Sequence, residues 1–139
     1  SSRRVRGGAA IPEERSSACP SIRPLDGWCP MTYRAPRPGP RYETRVVRSK
    51  DLIHWESSPL NPVMVASEGE KVIANPNLTD EQRKLIFGAV DRNNSDVDFC
   101  EFRGKTIIYY SWGNQQGTEF LAEAVYDGTM AGLRKAWFP

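Results

Sequence analysis

Long apolar runs are missing from this chain, and that absence bounds it first. No stretch approaches the roughly 18 apolar residues of a membrane-spanning helix, so no helical crossing of a bilayer is expected. No apolar segment of the signal-peptide kind stands near the start. The opening Ser1-Ser2 carries no methionine, which fits processing or excision from a longer chain and leaves the compartment open. Histidine is reduced to His54, and cysteine to Cys19, Cys29 and Cys100, with no C-x-x-C pair. That spacing argues against a zinc site or a thioredoxin-like centre and favours buried structural thiols. No metal and no cofactor are expected. Neither GxxxxGK nor GxGxxG occurs, so Gly113 and Gly117 do not frame a phosphate cradle.

What is present is an ordinary globular composition, 39% apolar and 26% charged over 139 residues, enough for a modest core. The net charge of +2 hides an asymmetry. Residues 1–50 hold eleven Lys/Arg against four Asp/Glu, a balance of +7; residues 51–139 hold eight against thirteen, a balance of −5. Opposite charges in the two halves suit two modules that pack on each other. The Arg3-Arg4-Val5-Arg6 arm reads as a solvated terminus within a flexible, basic lead-in over 1–17, and nucleic acid is not an expected partner.

Two stretches share one pattern. Ser21 to Arg34 contains the hairpin signal Asp26-Gly27 between extended segments, and Asp98 to Ser111 contains Arg103-Gly104 in the same place. Gly27 aligns with Gly104 and Tyr33 with Tyr110 at an offset of 77; Glu43 aligns with Glu119 and Asp51 with Asp127 at an offset of 76. Each unit reads as strand, tight turn, strand, third strand, which at this period points to β-propeller blades. Pro20, Pro24 and Pro30 make the first hairpin irregular or an edge, because proline removes a ladder donor. Between the units, Thr79 and Gln82 form a capping box that predicts a short helix with Leu85, Ile86, Ala89 and Val90 as a partial apolar stripe. A second short helix is expected from about Thr129, with Met130, Leu133 and Trp137 on one side. The expected organisation is a lead-in over 1–17, a first blade over 18–70, a linker with a helix over 71–92, and a second blade with a C-terminal helix over 93–139.

These residues resemble five-bladed β-propeller glycoside hydrolases of the arabinanase, xylosidase and invertase-like kind. Arg48-Ser49-Lys50-Asp51-Leu52-Ile53-His54-Trp55 is similar to their S-x-D-L-x-x-W blade ending, and Cys19-Pro20-Ser21-Ile22-Arg23 with Asp26-Gly27-Trp28 to a blade opening. Ser95-Asp96-Val97-Asp98 with Gly104-Lys105-Thr106 is similar to a late-blade pattern. The resemblance covers about residues 18–138 and implies the last two blades of a partial propeller, mainly β with two short helices. Cys29-Pro30 departs from it where aromatics are usual. The positions matching the catalytic carboxylates of that family, in its first blade and near its third, are absent, so catalysis does not carry over with the fold.

Candidate chemistry therefore rests on the residues themselves. Asp96 and Asp98, expected opposite Ser111 and Tyr109, fall on one face of a strand with Val97 and Phe99 on the other. An ionised face is costly unless it meets water or a ligand, so the pair suits sugar hydroxyls, a shared proton or general acid/base work; the alternative is two aspartates bonding local amides near Asn94. Glu43 is a third candidate catalytic carboxylate, against a surface ion pair with Arg41 or Arg45. Arg23 and Arg48 are candidates to orient a carboxylate or sugar, and Asp51 reads as a turn residue. Trp112, Asn114 and Gln115, in Trp112-Gly113-Asn114-Gln115-Gln116-Gly117, resemble a carbohydrate subsite, an indole to stack on and amides to read hydroxyls, against a polar loop with one packing Trp, and Asn94 is a further candidate substrate-binding residue. The functional expectation is part of a carbohydrate-active protein that binds or hydrolyses oligosaccharide; the alternative is a non-catalytic sugar-binding or assembly module. Two blades leave apolar faces uncovered, with Ile22, Met31 and Val46 in one unit and Phe99, Ile107, Ile108 and Phe120 in the other. A homo-oligomer, or dependence on further blades, follows as an expectation.

Overall fold

The chain is mainly β, with two antiparallel sheets and two helices. A computed structural model describes residues 18–139; the expected lead-in over 1–17 lies outside the described residues. Strands β1 (Ala18–Ile22), β2 (Cys29–Arg37), β3 (Arg41–Ser49) and the short β4 (Glu56–Ser57) form the first sheet in the order β1-β2-β3-β4. Strands β5 (Asn93–Phe102), β6 (Lys105–Gly113) and β7 (Glu119–Tyr126) form the second, in the order β5-β6-β7.

Turn chemistry sets both leading hairpins. Asp26 and Gly27 sit at φ 52° and 75°, and Arg103 and Gly104 at 50° and 75°. Two consecutive left-handed residues match the right-handed twist of the flanking strands, which is why the second position is glycine in each. Phe102 pairs directly with Lys105 across one turn, and Leu25 bridges Trp28 across the other. The prolines act as expected: β1 is an edge strand, and its register with β2 slips between Ala18 and Ser21.

Helix α1 (Asp80–Gly88) starts at Thr79, whose hydroxyl accepts the Gln82 N–H while the Gln82 side chain accepts the Thr79 N–H. Its apolar stripe is only half used. Ile86 packs on the core and Ala89, just beyond the helix, is buried, whereas Leu85 and Val90 stay exposed. Helix α2 (Met130–Trp137) is capped by Thr129 and buries Leu133.

The main core lies on one face of the second sheet. Val97, Tyr110, Trp112 and Ala89 are buried there, with Phe99, Ile108 and Phe120 packed against them. A smaller cluster joins Tyr33, Ala35 and Val47 to Met31 and Trp55. This corrects the expectation about open faces. Val46 is fully buried, and Met31, Phe99, Ile108 and Phe120 pack within the chain, while Ile22, at 45% exposure, and the half-buried Ile107, opposite Val125, stay outside the core. The apolar groups left in water lie on the other face of the second sheet, where Tyr109, Leu121 and Val125 are exposed in one register. Two of the three thiols differ from expectation: Cys100 is exposed on edge strand β5 and Cys29 is half-buried, because neither position faces a filled core; the Cys19 side chain lies outside what the structure describes.

Trp112 is 2% exposed, with its ring 4.8 Å from that of Phe120. Trp112→Ala should therefore cost about 3–5 kcal/mol of folding stability, the usual range for emptying a buried aromatic site. Urea denaturation measures it; a loss below about 1 kcal/mol would mean that the indole is not a core residue.

Candidate functional site

The two sheets meet along β5. Its free edge lies against β1, β2 and β3. The Thr44 hydroxyl donates to the Asn94 carbonyl at 2.8 Å, and the Tyr42 N–H donates to the Arg92 carbonyl at 2.7 Å. At the solvent end of this seam Arg23, one residue beyond β1, donates from its guanidinium to Asp98 on β5. Asp98 lies opposite Tyr109, as expected, and also accepts its neighbour's Phe99 N–H at 2.9 Å. The Arg23 hydrogen bond, with help from that amide, holds the Asp98 carboxyl below its ordinary range.

Asp96 departs from its expected partner. Ser95, not Asp96, pairs with Ser111, and the register shifts between Ser95 and Asp98. Two residues, Asp96 and Val97, thus stand against Tyr110, a β-bulge with Asp96 in the left-handed region at φ 54°. The face survives the slip. Asp96 and Asp98 are exposed while Val97 between them is 5% exposed. The Ser95 hydroxyl donates to Asp96 at 2.8 Å.

The remaining candidates do not converge on this pair. Glu43 is no surface residue: it is 3% exposed, with Arg45 at 2.7 Å and Arg37, rather than Arg41, at 3.1 Å. A buried carboxylate needs such partners, and with both oxygens engaged Glu43 serves the fold rather than proton transfer. Trp112 is in the core and offers no face to a sugar. Asn114 closes its own loop, accepting the Gln116 and Thr118 N–H groups at 2.7 and 3.2 Å. Gln115 accepts from Arg34 at 3.0 Å. Arg48 lies 4.2 Å over Trp28 and 4.3 Å over Phe138, and meets Glu56 through two hydrogen bonds of 3.0 and 2.8 Å. Asp51 is the turn residue expected, held well below the carboxylate range by the His54 ring and the N–H groups of His54 and Ile53.

A second polar cluster was not legible in the sequence. Asn94 is fully buried, and its amide donates to Glu70 at 3.1 Å; Tyr110 reaches the same Glu70 oxygen at 3.4 Å. Burial, then the Glu70 charge, pushes the Tyr110 hydroxyl up to about 12. Asp91 accepts the Asn93 and Gly113 N–H groups through Oδ1, while its buried Oδ2 has no hydrogen-bond partner among the described residues. Burial raises its carboxyl to about 6, with the Glu70 and Glu119 charges adding to the rise. The Ser67-x-x-Glu70 capping box marks Glu70 as the end of a local motif, met here as a 3-10 turn over Glu68–Lys71. Nothing local signals that its other oxygen reaches β5. Strand rise separates Asp91 and Asp98 by about 20 Å, so they do not form a catalytic pair.

This arrangement, two antiparallel sheets joined along an inner edge with exposed carboxylates on it, defines a class of fold rather than a family. No family model matches the chain, and no curated protein matches it. Solved structures do match, among them a chain described as a glycoside hydrolase, at a TM-score of 0.53 and 17% identity. The match covers 90% of this chain and 36% of that one, so this chain spans about a third of its length. The similarity is one of fold.

The Asp91 shift has a sign that can be measured. Its folded value lies above the ordinary 3.8, so the folded state holds this proton more tightly than the unfolded one. Its contribution is favourable at low pH and is lost as pH rises from about 4 through about 6. Asp91→Asn should therefore stabilise the protein relative to wild type at pH 7, with the advantage shrinking towards pH 4. Chemical denaturation at both pH values tests this, and a pH-independent difference would contradict it.

Proposed function

We propose that this chain is part of a carbohydrate-active protein with a glycoside hydrolase-like propeller fold, contributing two blades and binding oligosaccharide at the seam between β1 and β5. The observation that carries the reading is the Arg23–Asp98 pair. It joins the two sheets in the open, with Asp96 beside it on the same exposed face. A guanidinium and two carboxylates at one solvent-facing edge supply the donors and acceptors that sugar hydroxyls need. The similarity in fold to a glycoside hydrolase supports the same class of ligand.

The charge state favours binding over proton donation. Two-carboxylate hydrolysis needs one protonated acid, and Asp98 is held ionised by Arg23. A proton donor would then come from elsewhere in the intact protein. This observation also favours the second reading, a sugar-binding module without catalysis of its own. Leu121 and Val125, exposed on β7 two strands away from Asp98, are where a further blade, or another copy of the chain, would pack.

Calorimetry against a panel of oligosaccharides, run beside a hydrolysis assay, tests the reading. Asp96→Asn and Asp98→Asn should each weaken binding by about tenfold or more. Both side chains are exposed, so the melting temperature should move little. Wild-type affinity in both variants would reduce the aspartates to turn residues and remove the seam as a site. Binding without turnover in the isolated chain would select the second reading.

A further inference from the structure

Next to the seam, a cleft of about 210 Å³ opens between the Asp26-Gly27 turn and α2. Its apolar wall is formed by Leu25, Trp28, Pro30 and Phe138, and its charged residues are the cations Arg48, Arg134 and Lys135 and one carboxylate, Asp26. The cations are not equivalent. Arg48 is fully accounted for, lying over two aromatic rings and tied to Glu56. Arg134 is half-buried and, among the described residues, has no carboxylate within ion-pair distance. Lys135 likewise has none.

A cation in the last turn of a helix is favoured by the helix dipole, and that accounts for the exposed Lys135. It does not account for a half-buried guanidinium at an apolar-walled cleft, where partial burial of a charge is costly. Burial disfavours the charged form of Arg134, and the charge of Arg23 adds to this, while Asp26, on the same cleft, partly offsets it. Of the cleft's cations Arg48 is paired with Glu56, which leaves Arg134 and Lys135 against the single carboxylate of Asp26. The cleft is one anion short of balance.

We propose that this cleft binds the carboxylate of an acidic sugar residue, with Arg134 as the carboxylate-binding residue and the Leu25–Pro30–Phe138 wall packing against the ring. The inference rests on the seam being a saccharide site and narrows its ligand to uronate-containing oligosaccharides. A guanidinium presents paired donors that match a carboxylate, and a neutral sugar leaves them unused.

The probes are a uronate-containing oligosaccharide and its neutral counterpart of the same linkage, titrated into the whole chain by calorimetry. The wild type should bind the acidic form at least about tenfold more tightly, and Arg134→Gln should lose that preference while keeping its affinity for the neutral form. Arg134→Lys should keep part of it. Because Arg134 forms no ion pair among the described residues and burial disfavours its charge, Arg134→Gln should melt close to the wild-type temperature, so a loss of binding would not reflect unfolding. If the wild type binds both forms equally, or Arg134→Gln keeps the preference, the cleft is not a carboxylate site although the seam still binds sugar. If neither form binds, the seam reading and this one fail together.

Discussion

The structure depends on the free edge of β5. A strand at the end of a sheet presents unpaired amides and carbonyls, and those groups need partners when they are buried. Asn93, Asn94 and Ser95 are all buried at the start of this strand. Their environment comes from the first sheet and the segment after it: Thr44 on β3 takes up the Asn94 carbonyl, and Glu70 takes up the Asn94 amide. The neighbouring Tyr42–Arg92 and Arg92–Gly113 backbone bonds lock the entry to the strand. Without the first sheet this run of polar residues would have no reason to be buried. The two sheets are thus joined by polar complementarity at the edge as well as by apolar packing behind it.

That joint explains the placement of charge. The first half of the chain is basic and the second acidic, and the seam is where they touch, through Arg23 and Asp98 in the open. Deeper in, carboxylates survive only with dedicated partners, as Glu43 does between Arg37 and Arg45. Asp91 lacks such a partner for one oxygen and gives way by holding its proton more tightly. Arg134 is a half-buried cation that shares its cleft with Asp26, at a place that solvent and small molecules can reach.

The bulge at Asp96 belongs to the same logic. One extra residue against Tyr110 turns Val97 into the core without turning the two aspartates away from solvent. A regular ladder would also have alternated, but with Asp96 set against Ser111; the bulge re-aims the strand at the point where the carboxylates emerge.

Local rules made several elements readable from the residues alone. Asp26-Gly27 and Arg103-Gly104 predict their turns because few residues accept two consecutive left-handed conformations. Thr79 and Gln82 predict the start of α1 because a capping box is closed within four residues. Asp98 opposite Tyr109 follows from counting outward from the turn. Counting fails at Asp96, because a bulge is set by how β5 must bend against β6 and the core, not by the dipeptide at the turn. Trp112 is buried, as its packing alternative has it, and Glu43 is buried rather than at the surface, since alternation names a face but not what covers it. Glu70, Asp91 and Arg134 carried no signal in their own neighbourhoods. Their roles come from groups distant in sequence, the β5 amide for Glu70 and the Asp26-Gly27 turn for Arg134. The sequence by itself determined turns, caps and strand faces, whose energetics are local; only the tertiary structure decided which charges are paired, because pairing depends on which distant segments pack together.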